Sequence, residues 1–167
     1  MPFSVLLLTA ASAKRQIKGK GNSQVVMSGQ PVSGELALFF SIDQDSVRRG
    51  LNMQGKQCCD GLIFYTRDGE KKKTLCLVEL KTNHNLGDAA EQIIEARNHL
   101  ARMLKAECQS CGDYLEQVVW RACIYRHSSS QKQSAECAYK LKDAGFREID
   151  ITYLRGDGEV GPFLRGS

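Results

Sequence analysis

Two acids and a lysine stand out for their chemistry: Asp60, then 18 intervening residues, then Glu79-Leu80-Lys81. Hard divalent cations such as Mg²⁺ or Mn²⁺ bind carboxylate and carbonyl oxygens and keep several waters, so two acids and a nearby backbone carbonyl suit them. Such an ion polarises a phosphoryl oxygen and lowers the pKa of a bound water, while a lysine amine positions that water or steadies developing negative charge.

The stretch that must position these groups runs from Cys59 to Lys81, CDGLIFYTRDGEKKKTLCLVELK. Two apolar segments flank Arg67-Asp68-Gly69-Glu70, and Asp-Gly between such segments signals a tight hairpin. A hairpin folds back on itself, so Asp60 and Glu79 should emerge at the same end of the sheet. Lys81 follows Glu79 by two residues, and i and i+2 of a strand share a face. Leu75-Cys76-Leu77-Val78 is continuously apolar, as in a strand buried on both faces. A carboxylate at the end of such a strand needs a partner or a metal.

This pattern resembles the PD-(D/E)XK nuclease superfamily, in which an Asp precedes a (D/E)-x-K tripeptide on the next strand. The resemblance spans about residues 35–125, and Cys59 stands where the family's name puts Pro. It implies an α/β fold over residues 1–167, a mixed central β-sheet flanked by helices with a restriction-endonuclease-like α-β-β-β-α-β core. It further implies a Mg²⁺- or Mn²⁺-dependent DNA endonuclease, with Asp60, Glu79 and the Leu80 carbonyl as metal ligands and Lys81 orienting the attacking water. Family members often add a glutamine from the helix after the tripeptide, here Gln92, though the tyrosine that often follows it is replaced by Ala96. Many also add an acid from a helix before the first core strand. Glu35 is the nearest candidate, Asp43 and Asp45 are competitors, and a plain helix-start role for Glu35 is the alternative.

Two rival readings come from other classes. One is a catalytically silent nucleic-acid-binding or effector-sensing module, and the other a nuclease subunit of a larger complex. No nucleophile elbow, phosphate-binding Gly-rich loop or H-E-x-x-H occurs, which removes the common hydrolase alternatives.

The composition suits a folded domain: 167 residues, 42% hydrophobic and 25% charged. A net charge of +4, from 23 basic and 19 acidic residues, permits nucleic-acid binding without demanding it. Two basic clusters are candidate backbone contacts: Lys71, Lys72 and Lys73 at the hairpin tip, and Lys18 and Lys20, with Lys14 and Arg15, near the start. The alternative for each is a solvated face or an edge strand guarded by lysines. The expected partner is nucleic acid, DNA first, without a membrane, and with a homodimer or a larger complex as the assembly. Seven cysteines, several in apolar contexts, suit a reduced cytoplasmic setting. Cys108-Gln109-Ser110-Cys111 lacks the second pair that a zinc site needs. Val5-Leu6-Leu7-Leu8 before Ala11-Ser12-Ala13 mimics a cleavable leader but has no preceding positive charge.

The remaining elements follow from patterning. Residues 4–9 read as a short strand or helix start, and residues 14–34 as mobile around a strand at Gln24 to Met27. Glu35 to Ile42 is ambiguous between helix and strand, and residues 43–56 read as a polar connection. A helix from Ala89 to Lys105, capped by Asp88, carries the stripe Ala89, Ile93, Ala96, Leu100 and Leu104. A strand from Gln117 to Tyr125 with Trp120 in the core follows. A helix from Ser134 to Ala144 ended by Gly145, and a last strand from Glu148 to Leu154, close the domain. Leu164 to Ser167 is a candidate for a partial cloning scar and carries no functional assignment. His84 is either a substrate contact or a solvated loop histidine, while His99 and His127 carry no motif.

Overall fold

Asp68 and Gly69 make the expected turn: Gly69 takes a φ of +80°, and the Glu70 N–H donates to the Arg67 carbonyl at 3.1 Å. In this computed structural model, which describes residues 11–12, 14–19, 23–30, 32–81, 85–107, 116–126, 131–153 and 157–166, that turn is the tip of the central hairpin. Lys20, His84, His127, residues 4–9 and the Cys108–Cys111 pair lie outside the described residues.

Three elements precede the hairpin in the larger sheet and its small neighbour: β1 (Gln16–Lys18), β2 (Gln24–Val26) and β3 (Glu35–Ser41). After α1 (Asp45–Gly50) come the hairpin strands β4 (Gly61–Arg67) and β5 (Lys73–Lys81). Then follow α2 (Leu86–Glu107), β6 (Val118–Arg126), α3 (Gln131–Asp143), β7 (Glu148–Tyr153), β8 (Gly158–Glu159) and α4 (Gly161–Arg165). The fold is therefore mixed α/β. A five-stranded sheet runs in the order β3-β4-β5-β6-β7, and a three-stranded sheet in the order β1-β2-β8. The first three strands of the large sheet are antiparallel, and β5, β6 and β7 are parallel. Parallel neighbours require crossovers, which α2 and α3 supply.

Side-chain alternation divides the core in two. One face of the large sheet presents Leu62, Leu75, Leu77, Ala122 and Ile124 to Val47 of α1 and to Ala89, Ile93, Ala96 and Leu100 of α2. The other presents Phe39, Ile63, Cys76, Val78, Cys123 and Tyr125 to Ile17, Val25 and Leu164. Cys76 and Cys123 meet beneath this second layer with their sulfurs 3.7 Å apart, both fully buried. The layers approach closely at glycines: a Cβ on Gly61 would run into Ile17, and one on Gly19 would sit 2.8 Å from the Leu80 Cβ.

Several expectations are corrected. The 14–34 region is not loose where it is described, because β1 and β2 pair and bury Ile17 and Val25 completely. Glu35 begins a strand rather than a helix. The connection at 43–56 contains α1 and buries Val47, Leu51 and Met53. The long helix starts at Leu86, and Asn85 rather than Asp88 caps it, its Oδ1 accepting the Asp88 N–H at 3.3 Å. Leu164 and Arg165 are part of the fold: Leu164 is buried and Arg165 is bonded to Glu35. Gly145 ends α3 with a φ of +88°, as its position after the helical stripe predicts. Among the described residues no helix is long and apolar enough to cross a membrane.

Candidate active site

The β4–β5 ladder ends at the pair Gly61 and Val78, and one step beyond it sit Asp60 and Glu79. Their positions continue the alternation of Leu62 on β4 and of Leu75 and Leu77 on β5, so both carboxylates project toward the α2 face. Each is tied to the neighbouring strand's backbone. The Asp60 N–H donates to Glu79 Oε2 at 3.2 Å, and the Leu80 N–H donates to Asp60 Oδ2 at 2.6 Å. These bonds replace the ladder where regular pairing stops.

Lys81 completes the group. Its Nζ lies 3.0 Å from Glu79 Oε1 and donates to Gln92 Oε1 at 2.7 Å. Gln92 comes from the second turn of α2, which the short connection after β5 holds against the strand end. Arg126 on β6 is the register partner of Lys81, which adds a second cation at this end of the sheet.

The carboxylates are buried, with 6% exposure for Asp60 and 4% for Glu79. Burial and the neighbouring Asp60 charge push the Glu79 carboxyl up to about 7, opposed by Lys81. Two acids held together in a desolvated corner are a standing demand for positive charge. They line a cleft of ≈ 590 Å³ together with Leu80, Lys81 and Gln92 and with Asp43, Asp45, Arg48 and Lys56.

The donor set fits a hard divalent cation. Four carboxylate oxygens carry more lone pairs than the bonds above consume. In an extended strand the N–H and C=O of one residue point to the same edge, so the Leu80 carbonyl faces the Asp60 side as its N–H does. Among the described residues no group of three or more His, Cys, Asp or Glu converges, so the site offers two acids and a carbonyl and leaves the remaining positions to water. The neighbouring thiols are engaged elsewhere: Cys58 Sγ donates to the Ile42 carbonyl, and the fully buried Cys59 to the Gly61 carbonyl. Burial pushes the Cys59 thiol up, which disfavours the thiolate a soft metal requires.

The other candidates fall into three groups. Asp60, Glu79, Leu80, Lys81 and Gln92 are brought together. Glu35 is not: it pairs with Arg67 in register, at the hairpin-tip end of the sheet. Its fully buried carboxylate is held there by Arg165 at 2.9 and 3.1 Å and by Arg15 at 3.5 Å. Lys71, Lys72 and Lys73 also lie at that end, and six residues of extended strand separate Lys73 from Glu79, about 20 Å. Lys73 bonds Thr66 at 2.8 Å. Lys18 lines a hollow that shares Asp43 with the carboxylate cleft, so it stays near the site.

Sequence reasoning did not single out Arg48, Lys56 or His99. The buried His99 of α2 has Nε2 at 2.6 Å from the Leu51 carbonyl and Nδ1 at 3.3 Å from Lys56 Nζ, which pins the loop after α1 to the cleft. Its spacing from Gln92, seven residues on the same helix, was the available signal.

Family models, curated proteins and solved structures yield no match to this chain.

Proposed function

We propose that the chain is a metal-dependent nuclease, most specifically a DNA endonuclease with a restriction-endonuclease-like core. The observation that carries this reading is the pair of buried, mutually bonded carboxylates Asp60 and Glu79, with Lys81 spanning from Glu79 to Gln92. The succession β3, β4, β5, α2, β6 supports it as the β-β-β-α-β part of the expected core, with α1 inserted after the first strand. Among the described residues no helix precedes β3, so the succession covers the core from its first strand onward.

Asp60, Glu79 and the Leu80 carbonyl would hold Mg²⁺ or Mn²⁺, which when bound supplies charge for the phosphoryl oxygens and acidifies a water. The chain's own groups do the rest. Glu79 fixes the Lys81 ammonium from one side and Gln92 from the other, so the amine is aimed into the cleft without rotamer freedom. From there it orients a water for in-line attack and steadies charge on the phosphate, with no covalent intermediate. The products would carry 5′-phosphate and 3′-hydroxyl ends.

Purified protein incubated with Mg²⁺ or Mn²⁺ and plasmid, linear, branched or single-stranded substrates should cut at least one of them. Asp60→Ala, Glu79→Ala and Lys81→Ala should each slow cutting by about 10²-fold or more. Undiminished cleavage by Glu79→Ala overturns the assignment.

A further inference from the structure

The carboxylate cleft runs into two further hollows, and the three make one trough. It shares Asp45 and Arg48 with a hollow of ≈ 510 Å³ that also contains Arg49. It shares Asp43 with a hollow of ≈ 350 Å³ that contains Lys18. Cations therefore line all three hollows, with Arg48, Lys56 and Lys81 in the same cleft as the buried acids. That distribution suits a polyanion crossing a centre that itself binds cations.

Two of these cations are built in place. The Arg48 guanidinium donates to the Lys56 carbonyl, and the Lys56 amine is set against His99. His99 lies seven residues beyond Gln92 on one face of α2, about 10.5 Å along the helix. Lys56 is thus stationed about two helical turns away from the Lys81–Gln92 pair while lining the same cleft. Among the described residues lining the three hollows there is no aromatic side chain, so the wall offers charge and no stacking platform.

Resting on the nuclease reading, we propose that Arg48 and Lys56 in the carboxylate cleft, and Lys18 in the hollow that adjoins it at Asp43, grip the phosphate backbone of the substrate. The grip is electrostatic and indifferent to base sequence. The hairpin-tip lysines take no part, since they stand at the opposite end of the sheet.

The test is the salt dependence of binding, measured by fluorescence anisotropy of a short labelled DNA duplex with the full chain in Ca²⁺. Each of Arg48→Ala, Lys56→Gln and Lys18→Ala should lower the slope of log K against log salt by about 0.9. Lys56→Arg should retain the slope, and Lys71→Ala with Lys72→Ala should leave it unchanged. Circular dichroism melts identify any variant whose loss comes from unfolding, and the Lys56→Gln and Lys56→Arg comparison then carries the decision. Unaltered slopes in all three trough variants, a lowered slope in the hairpin-tip variant, or no duplex binding by the unmodified chain each overturn the proposal. Binding with the predicted slopes but no cleavage in Mg²⁺ leaves the trough standing and removes the nuclease. Cleavage with unaltered slopes does the reverse.

Discussion

Asp60 and Glu79 hold each other across the end of the β4–β5 hairpin: the Asp60 N–H donates to the Glu79 carboxylate at 3.2 Å while the Asp60 carboxylate accepts from the residue after Glu79 at 2.6 Å. The two acids are both part of the strand pairing and its termination, so isosteric replacements separate chemistry from folding. Glu79→Gln removes a buried charge and keeps the volume. It should cost 10²-fold or more in cleavage, on the order of what one lost electrostatic contact to a transition state costs. The same variant at pH 8 should melt no lower than the parent, and a large drop in Tm there would count against a strained, metal-seeking carboxylate.

The raised Glu79 pKa fixes a sign for pH. With the folded value at about 7 and the unfolded near 4.5, the folded chain binds the extra proton, so stability without metal falls as pH rises from 4.5 to 7. Mg²⁺ needs the ionised form and must displace that proton, so its affinity should rise through the same range and level off above it. Calorimetric titrations in two buffers of different ionisation enthalpy should reveal proton release below pH 7 and little at pH 8.5. In Glu79→Gln the release should vanish.

Lys81 and Gln92 act as a unit, with the ammonium held between Gln92 Oε1 and Glu79 Oε1. Lys81→Ala should reduce kcat by about 10²–10³, the scale of a lost charge-stabilising donor. Gln92→Ala should cost less, about tenfold, because it only frees the amine. The double variant should be little worse than Lys81→Ala alone. Additive losses would show that Gln92 acts on its own.

Glu35 supplies a contrast. Arg165 holds its carboxyl down at about 2, so it contributes stability above pH 4.5 that is lost as pH falls toward 2. Arg165→Ala should destabilise the chain by about 2 kcal/mol, the range for a hydrogen bond to a charged group. Glu35→Gln should leave metal-dependent cleavage untouched in whatever fraction stays folded. Loss of Mg²⁺ affinity in that fraction would return Glu35 to the site.

What could be read from sequence was local. The Asp68-Gly69 turn, the apolar run before Glu79 and the helical stripe around Gln92 each declare their element within one contiguous stretch of sequence, and together they locate the chemistry. The β1-β2-β8 sheet could not be read that way, because three-residue β2 gains its partner Gly158 more than 130 residues later. Glu35 stays open between alternatives in the sequence because a short apolar run does not distinguish strand from helix, and only its pairing with Arg67 places it. The hairpin-tip lysines lie away from the carboxylates for another reason. Their distance from Glu79 follows from strand rise alone, yet their charge suggested proximity. Arg48 and Lys56 looked like loop polarity until the fold set them beside the acids.

The close Cys76–Cys123 contact makes the chain its own reporter of internal motion. Both thiols are sealed between the large sheet and the layer formed by β1, β2, β8 and α4, so an alkylating reagent reaches them only when that layer lifts. Their labelling rate therefore reports the opening of that layer wherever it costs less free energy than global unfolding. Because Gly19 of that layer rests on Leu80, the carboxylate site and the cysteines share a roof. A bound metal that steadies Leu80 should slow the labelling of two sulfurs it never touches.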